Sequence, residues 1–253
     1  MLQVERQRRI VEEVGKRTSV RVVELAGAFQ VTDETIRRDL DALQEKGLLI
    51  RSHGGAVATV ENSQELHYSA RETRNLKEKV AIAREALARI MEDDTVILDS
   101  SSTALQLARS IPDRRLTVVT NSIRAAMDLS GKPSVRVIST GGTLLASSLS
   151  YIGPLAEKCL ENYHVNKAFL SCRGFSPREG ASDANESQGI LKRKMLDRAD
   201  ERYLLVDSAK IGVMSLSVWA QARDFTCVIT DAGVSSATVS ELESAGLLVI
   251  RAE

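Results

Sequence analysis

Val20-Arg21-Val22-Val23-Glu24-Leu25-Ala26, then Phe29, then Val31-Thr32-Asp33-Glu34-Thr35-Ile36-Arg37-Arg38-Asp39-Leu40 is the stretch that decides the fold of the first part of this chain. It continues through Leu43, Gly47-Leu48-Leu49 and Arg51-Ser52-His53-Gly54-Gly55-Ala56-Val57. The pattern predicts two helices joined by a tight turn and followed by a small β-wing, a unit that puts one helix into the major groove of DNA. Thr32 suits the N-cap of the second helix, and Asp33 and Glu34 suit its positive end. Ile36, Leu40 and Leu43 recur at i, i+4 and i+7, so they face inward. Arg38 then faces outward, with Thr35 and Arg37 on the flanks. Two such arginines suit phosphate and guanine-edge contacts. Taken alone they read as a solvated helix face; the capped helix, the preceding helix and the Gly54-Gly55 turn favour a DNA contact. Leu48, Leu49 and Ile50 read as a strand, and Gly54-Gly55 permits a turn other residues resist. That places Arg51 and His53 at a wing tip. The expected DNA-touching residues are Thr32, Glu34, Thr35, Arg37, Arg38, Arg51, His53, Gly54 and Gly55.

Thr35-Ile36-Arg37-Arg38-Asp39-Leu40 with Arg51-Ser52-His53-Gly54-Gly55-Ala56 resembles the winged helix-turn-helix of the DeoR family of bacterial transcription regulators. The match is dense over residues 4–57.

Working outward, 253 residues allow one large domain, or a small one plus a medium one. Hydrophobic residues at 43% and charged residues at 27% are ordinary for a globular protein, and the charged start at Met1 to Arg9 lacks a signal-peptide core. No apolar run is long enough to span a bilayer, so the expected location is the cytoplasm. Net charge is zero, and residues 1–60 carry ten Lys/Arg against nine Asp/Glu, a net of +1. DNA binding must therefore rest on local placement of charge rather than bulk positive charge. Cys159, Cys172 and Cys227 are scattered, as are His53, His67 and His164, which predicts neither a disulfide framework nor a metal site.

The first helix is expected from about Val4 to Lys16, with Ile10 and Val14 on its inner face. The expected domains are a DNA-binding unit over 1–58, a linker over 59–75 containing Asn62, Ser63, Gln64, Leu66 and Tyr68, and an α/β unit over 76–253. From Leu76, Val80, Ala83, Leu87 and Ile90 space a helix. Apolar runs then alternate with helical segments: 95–98, 116–119, 135–138, 167–170, 203–206, 227–229 and 247–250. Such runs are expected of strands buried on both faces of a mainly parallel sheet, and the alternation predicts a doubly wound α/β fold.

Small polar residues follow nearly every run: Asp99-Ser100-Ser101-Ser102-Thr103, Thr120-Asn121-Ser122, Ser139-Thr140-Gly141-Gly142, Ser171-Cys172-Arg173-Gly174, Asp207-Ser208-Ala209-Lys210 and Thr230-Asp231. In a parallel sheet these ends share one edge, where ligands bind. The serine run opening a helix near Thr103 makes an anion site; the competing reading is that the serines only cap the helix. Asp99, Asn121, Asp183, Asn185 and Asp207 supply groups for sugar hydroxyls, and Lys210 suits a phosphate. The plainer readings are an Asx turn for Asp207 and a helix N-cap for Asn185. Cys172 reads as a small buried residue lining the site.

Asp99-Ser100-Ser101-Ser102-Thr103, Val119-Thr120-Asn121-Ser122, Thr140-Gly141-Gly142 and Val206-Asp207-Ser208-Ala209-Lys210-Ile211-Gly212 are similar to the DeoR-family sensor domain. The resemblance implies a domain related to ribose-5-phosphate isomerase that binds a phosphorylated sugar. Ser101 stands where the family usually has glycine, and Gly180-Ala181-Ser182-Asp183-Ala184-Asn185-Glu186 is only loosely like the family's threonine-containing version. The expected effector residues are Asp99, Ser100, Ser101, Ser102, Thr103, Thr120, Asn121, Ser122, Gly141, Gly142, Gly174, Asp183, Asn185, Asp207 and Lys210.

The expected function is a DNA-binding regulator, a repressor of a carbohydrate catabolic operon, whose affinity for double-stranded operator DNA responds to a phosphorylated sugar. A homo-oligomer, dimer or tetramer, suits paired half-sites. No catalytic residue, cofactor, metal or membrane partner is expected. The alternative is a sugar-phosphate isomerase-like enzyme carrying a DNA-binding unit, with Asp183 or Asp207 as base. No clear acid–base pair stands beside them, and the isomerases' glycine-rich lysine loop is absent around Lys210.

Overall fold

Asp33 and Glu34 open α3 (Asp33–Glu45) because Thr32 Oγ1 accepts the Thr35 backbone N–H at 3.3 Å. In this computed structural model, which describes residues 2–17, 19–46, 48–52, 54–57 and 68–253, α3 is preceded by α1 (Gln3–Arg17), β1 (Ser19–Arg21) and α2 (Val22–Phe29). The turn between α2 and α3 is short because Gln30 takes the left-handed conformation (φ 54°). Ile36, Leu40 and Leu43 are buried, and they meet Ile10, Val14, Val22, Leu25, Leu49 and Ala56 in one core. Each such aliphatic side chain contributes about 1.5–3 kcal/mol. β2 (Ile50–Ser52) and β3 (Gly55–Val57) form the wing, and β1 adds a third strand in the order β1-β3-β2. Gly55 is required there, since a Cβ would lie 2.0 Å from the Val20 carbonyl oxygen. The sequence reading found the hairpin but not β1.

The chain divides into two compact units, Met1–Arg71 and Glu72–Glu253. A short helix, α4 (Tyr68–Thr73), lies within the stretch expected as linker; Asn62, Ser63, Gln64 and Leu66 lie outside the described residues.

The second unit begins with α5 (Leu76–Leu87). Its inward face is Ile82, Ala83 and Ala86, whereas Val80 is 40% exposed. The expected spacing is thus corrected: Ile82, not Val80, pairs with Ala86 at i+4 on the buried side. The alternation that follows is β4 (Thr95–Leu98), α6 (Ser102–Ser110), β5 (Leu116–Thr120), α7 (Ile123–Ser130), β6 (Val135–Ser139), β7 (Thr143–Leu145), β8 (Ser150–Ile152), α8 (Pro154–Glu161), β9 (Val165–Leu170), β10 (Gly174–Ser176), β11 (Gly180–Asp183), α9 (Glu186–Asp197), β12 (Ala199–Leu205), β13 (Ser217–Ala220), β14 (Cys227–Asp231), α10 (Ser236–Ser244) and β15 (Leu248–Ala252).

Seven strands form one sheet in the order β15-β14-β12-β9-β4-β5-β6, every pairing parallel. All seven overlap the apolar runs read from the sequence, with β12 beginning four residues and β9 two residues ahead of its run. Ile97, Ala168, Leu170, Leu204 and Val228 pack with Ala156, Leu160, Leu191, Met195, Leu196 and Leu242 on the face covered by α8, α9 and α10. By alternation Val96, Leu98, Phe169, Tyr203 and Ile229 face the opposite way, where α5 lies against β12, β14 and β15. Phe169 and Tyr203, in register on neighbouring strands, stack at 4.8 Å. The sheet is therefore doubly wound, and chain order reverses between β4 and β9, the position where such sheets bind ligands.

Two small antiparallel sheets stand after the carboxyl ends of these strands. They are the hairpin β7–β8 and the set β10-β11-β13. The hairpin is tied to the end of β5: Tyr151 N–H donates to the Asn121 carbonyl at 2.8 Å, and Asn121 Nδ2 donates to the Tyr151 carbonyl at 3.0 Å. No helix among the described residues is long and apolar enough to cross a membrane.

Candidate functional site

On α3, Arg37 and Arg38 are exposed on the side opposite Ile36, Leu40 and Leu43. Thr32, Glu34 and Thr35 share that outer region; the Thr32 and Thr35 hydroxyls lie 2.9 Å apart, and Arg38 Nε is 3.4 Å from Glu34 Oε1. With side chains 79% and 67% exposed, this pair contributes little and is easily exchanged for another anion. Arg51 is a correction. Its Nε pairs with Asp41 at 3.0 Å, its backbone N–H donates to Gln44 Oε1 at 2.7 Å, and its side chain is only 24% exposed. Arg51 thus joins the wing to α3 instead of standing at the tip, because α3 offers it a carboxylate. Gly54 makes the wing turn (φ 82°) and lends its carbonyl to Val22 N–H at 2.9 Å, while Gly55 serves the close approach of β1. His53 lies outside the described residues.

The sequence reading missed Asp39. It is 1% exposed within the apolar seam of α3, where Oδ2 receives Arg6 Nε at 2.5 Å and Oδ1 receives Gln7 Nε2 at 3.0 Å. An acid between Ile36 and Leu40 on the inward face was the available signal.

In the second unit, the expected effector residues collect at the carboxyl edge of the sheet, and most are already spoken for. Asp99 Oδ1 accepts Ser101 N–H at 3.0 Å, and Oδ2 accepts Ser171 N–H at 2.9 Å. Ser101 Oγ caps α6 through Ala104 N–H (3.0 Å), Ser122 Oγ caps α7 through Ala125 N–H (3.2 Å), and Thr120 Oγ1 accepts Ser122 N–H at 3.0 Å. Asn185 Oδ1 caps α9 through Gln188 N–H at 3.1 Å, the plainer of its two readings. Ser100 and Ser102 are buried beside them.

Lys192 on α9 is the residue sequence reasoning did not find. It is buried, with Nζ 2.7 Å from Asp183 Oδ2, 3.3 Å from Asp99 Oδ2 and 2.8 Å from the Ser171 carbonyl. Burial alone depresses the ammonium, but Asp183 and Asp99 override it, and Lys192 stands above the ordinary lysine range. This one cation joins the ends of β4, β9 and β11.

Lys210 lies 3.2 Å from Asp207 Oδ2 and 3.5 Å from Ser171 Oγ. Asp207 also accepts Asn75 Nδ2 at 2.9 Å, just ahead of α5, so it bridges two elements and caps neither as an Asx turn. Burial would raise its carboxyl, but Lys210, Asn75 and Lys79 outweigh burial and hold it below the ordinary aspartate range. Beside them, burial pushes the Cys172 thiol up to about 12, so it is not a nucleophile at neutral pH.

Several buried side-chain oxygens at this edge lack a hydrogen-bond partner, among them Asp207 Oδ2, which has its ion pair with Lys210, and Thr230 Oγ1 on β14. Thr103 Oγ1, in the first turn of α6, and Asn121 Oδ1, at the end of neighbouring β5, are buried without a hydrogen-bond partner. The glycines act differently. A Cβ on Gly142 would meet the Ile152 carbonyl at 2.7 Å, and one on Gly174 the Val213 carbonyl at 2.3 Å, so both allow backbones to cross closely. Gly141 takes φ 61° at the end of β6. Among the described residues no three His, Cys, Asp or Glu side chains are grouped as metal ligands. Asp183 and Asp207, the candidate bases of an isomerase, are each held by a lysine.

A winged helix-turn-helix unit followed by a doubly wound sheet with a polar cluster at its switch point defines a two-part DNA-binding regulator with a sensor unit. The chain belongs to the DeoR family: residues 6–62 match the DeoR-like helix-turn-helix domain and residues 74–232 the DeoR C terminal sensor domain. It is 51% identical over 243 residues to the uncharacterized HTH-type transcriptional regulator YulB of Bacillus subtilis, covering 96% of this chain and 94% of that protein. It is 36% identical to the L-fucose operon activator of Haemophilus influenzae (88% of this chain, 89% of the relative). It is 34% identical to the lactose phosphotransferase system repressor of Streptococcus mutans (91% and 93%). The chain is a regulator, not an enzyme.

Proposed function

We propose that this protein is a cytoplasmic, homo-oligomeric repressor of a carbohydrate catabolic operon whose grip on operator DNA is set by a phosphorylated sugar. Residues 1–58 read the operator, and residues 76–253 sense the sugar. Arg37 and Arg38, with Thr32, Glu34 and Thr35 around them, face the major groove. The relatives named for sugar operons support the class of metabolite.

One observation carries the ligand assignment: Thr103 Oγ1, in the first turn of the helix that follows β4, and Asn121 Oδ1, just after the neighbouring strand β5, are both buried without a hydrogen-bond partner. Leaving such a group unsatisfied costs about 1–3 kcal/mol, so a ligand that satisfies both gains that amount in each case. Thr103 sits in the first turn of α6, where helix N–H groups and the positive helix end favour an anion. Asn121 Oδ1 is an acceptor, to which a sugar hydroxyl can donate. A molecule with an anionic end and a hydroxyl chain meets both, with the partly exposed Lys210 after β12 as the cation for the anionic end. A phosphate that draws Lys210 away leaves the Asp207 carboxylate, which also accepts Asn75 Nδ2 ahead of α5, without that cation.

Thermal unfolding of the full chain with a panel of pentose and hexose phosphates tests this. A ligand at a hundred times its dissociation constant stabilises by about 2.7 kcal/mol. The expected result is a rise in midpoint with one or more sugar phosphates, none with the unphosphorylated sugars, and a matching change in operator affinity. No shift and no change in DNA affinity across the panel would refute the sensing role.

A further inference from the structure

We infer that Asp39, clasped by Arg6 and Gln7, is a positioning residue that fixes the roll of α3 and thereby the aim of Arg37 and Arg38, so that it governs discrimination between DNA sequences more than overall grip. The inference rests on the assignment of α3 as the groove-reading helix.

The apolar contacts of α3 do not fix its rotation by themselves. Ile36, Leu40 and Leu43 bury area, and burial is non-directional. A roll of about 30° would carry a side chain about 6 Å from the helix axis through about 3 Å, the length of a hydrogen bond. A guanidinium displaced by that much loses a base edge but still finds a phosphate.

Directional contacts come from the wing, where Arg51 holds Asp41 and Gln44, and, on the buried side, from α1. Consecutive residues Arg6 and Gln7 take one Asp39 oxygen each, at 2.5 and 3.0 Å, and all three side chains are nine-tenths or more buried. Gln7 Oε1 also receives Lys46 Nζ at 3.4 Å. Lys46 follows Asp39 by seven residues, two turns along the same side of α3. The helix is thus pinned at two heights on the side that meets α1. A buried ion pair is a poor source of stability, since apolar replacements of similar size are often neutral or stabilising. Its separable contribution here is orientation.

The test uses the full chain and a DNA duplex enriched by the unaltered protein from random sequence. The paired variant Arg6→Met/Asp39→Leu removes both charges at once, so neither is left buried alone. The expected outcome is an unchanged or higher unfolding midpoint, a salt dependence changed by less than one phosphate contact, about 0.9 in slope, and an enriched-to-random affinity ratio lowered about tenfold or more. Gln7→Met, which keeps the ion pair but cuts the link to Lys46, is expected to lower the same ratio by a smaller factor. An unchanged ratio in both variants overturns the inference. So does a fall in midpoint with parallel losses on both DNAs, the mark of a purely structural role. If the unaltered protein enriches no sequence, the groove-reading assignment itself fails; an unchanged ratio with successful enrichment sinks only the role of Asp39.

Discussion

Replacing Lys192 by methionine isolates the contact that joins three strand ends. Methionine keeps the apolar stem and removes the ammonium, leaving Asp99 (0% exposed) and Asp183 (9% exposed) without their shared cation. Breaking a buried pair by deleting one partner costs about 3–5 kcal/mol, because the remaining charge stays in a poorly solvated place. For a unit of this size each kcal/mol moves the midpoint by about 2–4 °C, so the variant should melt roughly 6–20 °C lower. The chain supplies its own probe: Trp219 is its sole tryptophan, and the ring lies 5.6 Å from Lys192 Nζ. Its fluorescence reports this unit separately from the DNA-binding unit, which contains none. The pH dependence has a definite sign. The raised Lys192 contributes stability that is complete below the unfolded lysine range and is lost only as pH rises through its raised value, so the parent is unaffected between pH 5 and 8 on this account. In the variant, protonation of a carboxylate left behind relieves the penalty, and the deficit shrinks from pH 8 to pH 5. A Trp219 transition within 2 °C of the parent at pH 7, or a deficit that grows on acidification, would refute the reasoning.

Arg37→Ala is expected to weaken operator binding at least tenfold while sugar-phosphate stabilisation is retained; equal operator affinity in a DNA titration would remove Arg37 from the interface. Lys210→Ala should bind operator normally yet lose its response to sugar phosphate, and a normal response would remove Lys210 from the site. The same substitution exposes a second sign. Asp207 is held below the ordinary aspartate range, so its share of stability is present at neutral pH and vanishes as pH falls through that lowered value; without Lys210 the acid loss of Trp219 fluorescence should begin at higher pH. At pH 8 a thiol reagent should leave Cys172 unmodified in the native protein and label all three cysteines in denaturant, and rapid native labelling of Cys172 would contradict its burial. Ser101→Gly should bind sugar phosphate more tightly with a nearly unchanged midpoint, since glycine as N-cap costs only a few tenths of a kcal/mol; equal affinity would show that the Ala104 N–H it frees does not reach the ligand.

The central sheet strands were legible because they are buried on both faces, which forces a continuous apolar run such as Val96-Ile97-Leu98, while the partly exposed edge strands β6 and β15 still carry the apolar runs 135–138 and 247–250. The helix-turn-helix was legible because its cap, turn and apolar seam are local in sequence. What was not legible is short or non-local. β7, β10 and β11 are three or four residues long, too short for period-two alternation to register, and β1 pairs across 38 residues with Val57. Lys192 sits in Leu191-Lys192-Arg193-Lys194, which reads as a solvated helix face; only the folding of Asp99 against it, 93 positions earlier, makes it a buried residue. Asp39 is hidden in the same way by a partner 33 residues away.

Capping and sensing draw on the same residue types, and that competition decides which hydroxyls remain for a ligand. Ser, Thr, Asn and Asp are favoured after a strand because they can satisfy the first N–H groups of the next helix. Ser101, Ser122 and Asn185 do so here, and Thr120 and Asp99 hold the N–H groups of Ser122 and Ser101. Their oxygens are committed before any ligand arrives. Ser101 stands unstrained at φ −73° in the place the family usually gives to glycine, so that difference leaves the backbone alone and instead removes one N–H, that of Ala104, from the supply an anion could use. Thr103 escapes this commitment because it lies past the cap, inside the first turn, and Asn121 escapes it because its carbonyl side carries no bond while its amide is fixed by Tyr151. Within Asp99-Ser100-Ser101-Ser102-Thr103, Asp99 and Ser101 are thus committed to backbone N–H groups, while Thr103 keeps a buried hydroxyl without a partner.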